Sequence, residues 1–217
     1  EINRAPAKVQ SALLEAMEER QITVGAKSYA LPELFMVMAT QNPIEQEGTY
    51  PLPEAQLDRF LMNVLVGYPT PADERRILVL NREEAKSRKR DQFQPPEILP
   101  EAAIMEARQA ILGLHLADEL EQYIVNVVVA TRDPGRVNPA LDGQVMYGAS
   151  PRACMGIDRS ARAHAWLKGQ DYVGPEDIQA VAADVLRHRL VLSFEAEADG
   201  VIPDQIIEGV LDGVGVP

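Results

Sequence analysis

The chain has 217 residues, 46% of them hydrophobic and 25% charged, and its 33 Asp and Glu outnumber 21 Lys and Arg to give a net charge of −12. That balance belongs to a folded globular protein and excludes a disordered tail or a fibrous repeat, while a single cysteine, Cys154, excludes an internal disulfide scaffold. An acidic chain also lacks the positive field that nucleic acid requires, and no apolar run approaches the ~20 residues of a membrane span, so neither nucleic-acid binding nor membrane insertion is expected. The lone cysteine fits a reducing, cytoplasmic setting. The chain begins at Glu1 rather than at a methionine, which reads as a fragment whose N-terminal part is missing.

From Glu1 to Tyr68 the periodicities are mixed. Val9, Ala12, Leu13, Ala16 and Met17 recur at helical spacing, with Glu15, Glu18 and Glu19 largely off that stripe, and Pro6 suits a first helical turn. Ile22-Thr23-Val24 and Ser28-Tyr29-Ala30-Leu31 flank Gly25-Ala26-Lys27 as the arms and turn of a hairpin. The apolar runs 34–39 and 60–66 have the length and composition of strands buried on both faces of a parallel sheet. From Thr70 onward helices dominate: Ala72 to about Glu84, Glu101–Leu112, Ala117–Thr131, Pro151–Lys168, Pro175–Leu190 and Pro203–Leu211. Ile124–Val129 is rich enough in β-branched residues to be a strand, but its helix-forming flank favours a helix. The expected architecture is thus part of an α/β domain over residues 1–69, followed by an all-α domain over 70–217.

Several candidate chemistries are weak. No phosphate-binding loop of the form G-x-x-x-x-G-K-[ST] occurs. His115, His164 and His188 stand far apart, and Cys154 has no evident base beside it, so structural roles suit all four. The basic run Lys86–Arg90 is flanked by Glu83, Glu84 and Asp91 and carries no interleaved aromatics, as in a solvated helix end. Nothing in the spacing favours a hydrolase built on Glu45 and Glu47.

Three polar positions are more informative. Asn42 follows the run 34–39, where an open sheet places ligand-binding side chains; it could orient a water or phosphate oxygen, or simply shape a turn before Pro43. Arg59 precedes the second run, at a rim, where its guanidinium suits a phosphate or an ion pair with Asp58 or Glu54. Ser150 and Pro151 read as N-cap and first residue of a helix, which puts Arg152 at the end whose dipole disfavours a cation. A cation there points to an anionic partner or to solvent.

Together these residues resemble the MoxR group of AAA+ ATPases. The resemblance is carried by Glu1–Pro6, by Ala39-Thr40-Gln41-Asn42-Pro43 and on through Leu57-Asp58-Arg59-Phe60, by Gly148–Ala153, by Asp171–Val173 with Pro175–Asp177, and by Leu186-Arg187-His188-Arg189. It implies a partial AAA+ α/β core with parallel-sheet strands and a pre-sensor-1 hairpin at 22–31 facing the pore, followed by a helical C-terminal lid. It implies ATP and Mg²⁺ as cofactors. Glu1 matches the Walker B glutamate that polarises the attacking water, Asn42 matches sensor 1, Arg59 the arginine finger reaching an adjacent subunit's ATP, and Arg152 the sensor 2 that reaches the γ-phosphate in its own subunit. The Mg²⁺-holding Walker B aspartate and the phosphate loop have no counterpart here, so no metal ligand is assigned in the chain and the 217 residues alone are expected not to hydrolyse ATP. The implied function is a homo-oligomeric, hexameric ring ATPase that remodels partner complexes in a chaperone-like way or assists cofactor insertion, with von Willebrand factor A-domain proteins as partners. A magnesium chelatase-like motor subunit and a non-catalytic interaction module are the alternatives.

Overall fold

The computed structural model of the protein describes residues 2–41, 52–86 and 98–217. A 3₁₀ turn, Ile2–Arg4, leads into helix α1, Ala7–Glu19. Leu14 and Ala16 are buried there beside Gln10, whereas Val9 and Ala12 are exposed, so the inward face is rotated from the expected stripe. Arg20 closes α1 in the left-handed conformation, at φ 51°. Strands β1, Gln21–Val24, and β2, Lys27–Ala30, then pair antiparallel, with Ile22 opposite Tyr29 and Thr23 opposite Ser28. The loop is Gly25-Ala26 alone, tighter than the three residues expected, because Gly25 at φ +65° supplies the first position of a two-residue turn and frees Lys27 to pair with Val24.

The runs 34–39 and 60–66 correct the sequence reading. Neither forms a strand, and the described residues contain two antiparallel two-stranded sheets rather than a parallel one. Much of the apolar surface of both runs is exposed, with Val66 at 92%. A parallel strand needs a neighbour for its backbone groups and a layer over each face. Here Thr40 accepts from the Ile2 N–H (3.4 Å) and Asn63 donates to the Asp184 carbonyl (2.8 Å) in place of a ladder.

Between the runs lies the short helix α2, Glu54–Leu57, and after them α3, Pro71–Lys86, which buries no residue. Then come α4, Glu101–Leu112; α5, Asp118–Ala130; strand β3, Val145–Tyr147; α6, Pro151–Leu167; α7, Pro175–Leu186; strand β4, Val191–Leu192; α8, Phe194–Ala198; and α9, Pro203–Gly213. In α5, Leu120, Tyr123, Ile124, Val127 and Val128 are buried while Val125 and Val129 face outward, a three-and-four spacing that settles helix over strand. Asp118, Glu119 and Glu121 favour that helix start through the dipole. Predicted as helix through Leu190, α7 instead stops at Leu186, where a 3₁₀ turn over Arg187–Arg189 takes over.

One apolar core joins α5, α6, α7 and α9, with Tyr123, Val127, Ile157, Ile178, Leu186 and Ile206 at its centre. Each such side chain contributes about 1.5–3 kcal/mol of burial. Local chemistry sets the helix starts: Ser150 and Ser193 accept the N–H groups of Arg152 and Ala196, and the Asp177 carboxylate accepts the Gly174 N–H at 2.9 Å. Just before α6 the chain presses on the end of α5. A Cβ on Gly148 would lie 2.6 Å from Arg132 Cα, the Ala149 N–H donates to Thr131 Oγ1 (3.0 Å), and Arg132 Nε donates to the Ala149 carbonyl (3.1 Å).

Candidate functional site

Three elements from distant parts of the sequence meet at one carboxylate. Glu18 lies in the last turn of α1, Arg59 on the turn that follows α2, and Arg152 in the first turn of α6. Arg59 Nη2 pairs with Glu18 Oε2 at 2.9 Å, and Arg152 Nη2 pairs with Glu18 Oε1. Each charge offends its own helix, an anion at the negative end of α1 and a cation at the positive end of α6, and the two offset one another. All three side chains are between 31% and 43% exposed, so each pair is worth at most about 1 kcal/mol and yields readily to a stronger anion. Arg59 Nε is buried and has no hydrogen-bond partner among the described residues, an unused donor on a phosphate-type fork.

Beneath this exposed trio sits a more buried one. Asp58 accepts the Ser150 hydroxyl (2.9 Å to Oδ2), Arg152 Nη1 (3.2 Å) and Arg189 Nε (3.0 Å). Burial raises the Asp58 pKa, but the bonds from Ser150 and Arg152 and the charge of Arg189 outweigh it and hold the carboxyl below its ordinary value. Arg189 is almost wholly buried, and all five of its N–H groups find acceptors: Nε on Asp58 Oδ1, Nη1 on the Leu61 and Val185 carbonyls, and Nη2 on the Asp58 (3.0 Å) and Phe60 (2.6 Å) carbonyls. Its neighbours extend the clasp. His188 Nε2 meets the Phe60 carbonyl at 3.0 Å, and burial with the adjacent Arg189 charge lowers its pKa to about 4, so the ring is neutral. Arg187 grips both Asp204 oxygens (2.8 and 2.6 Å), Asp184 and the Asn63 carbonyl. The stretch 184–189 therefore fastens 58–63 to the helical core.

A cleft of about 700 Å³ opens beside this clasp, lined in part by Glu54, Asp58, Gly148, Ser150, His188 and Arg189. Glu18, Arg59 and Arg152 stand outside it, on a part-exposed rim. No group of three or more His, Cys, Asp or Glu side chains among the described residues could hold a metal ion, and these residues do not fit Mg²⁺. Cys154 is half-buried, and burial raises its thiol pKa, which disfavours a nucleophile. His164 bonds the fully buried Asp177 (2.8 Å), a structural role like that of His188.

Of the four residues singled out by sequence, Arg59 and Arg152 are brought together, whereas Glu1 and Asn42 lie outside the described residues. Arg59 pairs with Glu18 rather than with either sequence candidate, Asp58 or Glu54, and Asp58 bonds Arg152, Ser150 and Arg189. Glu18 and Arg189 carried no signal of their own, although Arg189 stood inside a motif.

Residues 1–62 match the ATPase family associated with various cellular activities (AAA), and residues 140–210 match the AAA lid domain. Chaperone MoxR1 of Mycobacterium tuberculosis is 46% identical over all of this chain and 56% of its own length. Protein MoxR of Paracoccus denitrificans is 33% identical over all of this chain and 66% of its own length. A crystal structure from Cytophaga hutchinsonii, assigned as an ATPase, superimposes over the whole chain and 64% of that protein with a TM-score of 0.91 at 44% identity. A magnesium-chelatase subunit of Arabidopsis thaliana is more distant, 29% identical over 88% of this chain and 42% of its own length. This chain thus spans between about two fifths and two thirds of the length of these relatives.

Proposed function

Because the chain belongs to the MoxR group of AAA+ ATPases, we propose that Arg59 and Arg152 together serve the phosphates of one ATP in a ring-forming, chaperone-like remodelling ATPase. The observation that carries this reading is the convergence of both guanidiniums on the two oxygens of Glu18. A carboxylate that holds two cations loosely on a rim marks a place where a phosphate's oxygens would be received. Bound ATP supplies the γ-phosphoryl group. The chain's own share is to place positive charge where negative charge spreads during transfer, with Glu1 polarising the attacking water and Asn42 orienting it.

This reading departs from a division in which Arg59 reaches an adjacent subunit and Arg152 its own. Two side chains on one carboxylate are most simply two contacts to one nucleotide, that of the neighbour. Residues 1–69 would then contribute to the AAA+ core and 70–217 to the lid, which the matches at 1–62 and 140–210 support. A hexameric assembly, cytoplasmic location and von Willebrand factor A-domain partners belong to the same proposal, as does Mg²⁺ use through groups other than the described residues. A magnesium chelatase-like role has less support, at 29% identity.

Subunit mixing in the full-length protein tests it. Arg59→Ala and Arg152→Ala each lower kcat by about 10³-fold or more, as for an arginine supplied in trans. Either variant, mixed with inactive Glu1→Gln subunits, regains activity at the interfaces where an intact Glu1 meets an intact arginine. Recovery with Arg59→Ala but not with Arg152→Ala restores the divided roles, and full activity in both single variants overturns the reading.

A further inference from the structure

We propose that Asp58 and Arg189 are positioning residues for ATP hydrolysis, a part-buried pair that aims the two rim arginines and ties their aim to the end of α7. The inference rests on the reading that Arg59 and Arg152 serve a phosphate. Long arginine side chains on a rim, held on its outer side by a half-exposed Glu18, need a second support to keep one geometry. Asp58 supplies what they lack. It is the backbone neighbour of Arg59, it bonds Arg152 Nη1 at 3.2 Å, and it bonds the Ser150 hydroxyl that caps the helix carrying Arg152. One carboxylate therefore touches the supports of both arginines.

Arg189 fixes that carboxylate in turn. Its Nε holds Asp58 Oδ1, and its remaining four N–H groups hold the carbonyls of Asp58, Phe60 and Leu61 on one side and Val185 of α7 on the other. Only a planar five-donor fork can meet that set, so a lysine cannot replace it. The junction does not depend on this pair for its adhesion, because Arg187 clasps Asp204, Asp184 and the Asn63 carbonyl beside it. A motion of α7 would thus reach Arg59 through Arg189 and the 58–61 backbone.

The test uses the assembled full-length ATPase and reads kcat, KM for ATP and the thermal midpoint. Asp58→Asn lowers kcat by about 10- to 100-fold while KM stays within about threefold, the pattern of a small misplacement felt mainly in the transition state. Removing one partner of a part-buried pair also strands a charge, so Arg189→Met is paired with Asp58→Asn in a double variant that removes both. The thermal midpoint of the double variant recovers toward wild type while kcat stays low; recovery of kcat along with the midpoint overturns the proposal. If Asp58→Asn alone does not fold, the double variant carries the test. In an Arg59→Ala/Arg152→Ala background, Asp58→Asn adds less than about threefold, and a full additional loss there also overturns it. Asp204→Asn, which loosens Arg187 instead, lowers the midpoint without lowering kcat. Wild-type activity in the Arg59→Ala and Arg152→Ala variants is a separate failure, that of the arginine reading itself.

Discussion

Between Leu114 and Val214 most of the bulky apolar core turns inward, whereas in the equally apolar runs 34–39 and 60–66 most side chains face out. Ile157, Ile178 and Val185 are fully buried, whereas Met36 and Met38 are 76% and 79% exposed. The contrast reflects what each kind of element needs. A helix satisfies its own backbone and requires only one covered stripe, which α5, α6, α7 and α9 provide for one another. An apolar run of strand length needs a neighbour on its edge and layers on its faces. The arginine rim lies where the two regions touch, on a segment fastened to the helical core through polar groups, with Met62 adding an apolar contact.

The sharpest test of that contrast compares truncations. Ile178→Ala removes a fully buried side chain and costs about 2–5 kcal/mol by denaturant titration, while Val66→Ala stays within about 0.5 kcal/mol. Equal losses would erase the distinction between the regions. Next in size, Asp177→Ala leaves the buried Gly174 N–H and the His164 ring without their partner and costs about 1–3 kcal/mol, against little change for the exposed Asp171→Ala. Removing the Ser150 hydroxyl with Ser150→Ala takes away both a cap and a bond to Asp58, and the thermal midpoint reports a loss of about 1–2 kcal/mol.

Acid sharpens the comparison from another side. His188 is held neutral in the fold with a pKa of about 4, below its ordinary 6.5, so the unfolded chain takes up the proton first. Its share of stability is complete above pH 6.5 and is lost as pH falls toward 4. Asp58, whose folded value is also depressed, adds a further loss below about pH 3.8. His188→Gln should flatten the upper part of a stability–pH curve and leave the lower part standing; an unchanged slope between pH 6.5 and 4 would remove His188 from the account. The smallest effect belongs to the other region, where Gly25→Ala strains a positive φ in an exposed hairpin and costs about 1 kcal/mol.

What could be read from sequence follows the range of the interactions concerned. The bounds of α4 and the start of α6 at Pro151 were legible because proline and the Ser150 cap act within a turn. The hairpin was legible from Gly25, apart from one residue of its turn. The end of α7 was overrun because Arg187, His188 and Arg189 leave the helix to satisfy partners at Asp204, Phe60 and Asp58, far away in sequence. Strands β3 and β4 and helix α8 are too short to show a period. At the site, Arg59 and Arg152 each stood out by chemistry, yet their meeting could not be seen, since it depends on Glu18, which looks like any solvated glutamate at a helix end.

The close seat of Gly148 against Arg132 carries one more consequence. With no room for even a methyl group there, and with Thr131 and Arg132 both bonded to Ala149, α5 and the start of α6 are locked as one lever arm. The backbone at Arg152 cannot shift relative to that arm without tearing those contacts, so any travel of that position is the travel of α5 and α6 together. Spin labels on the exposed positions Gln122 and Arg159 should keep a constant separation whether or not nucleotide is present, while the distance from either label to the tip of the β1–β2 hairpin changes.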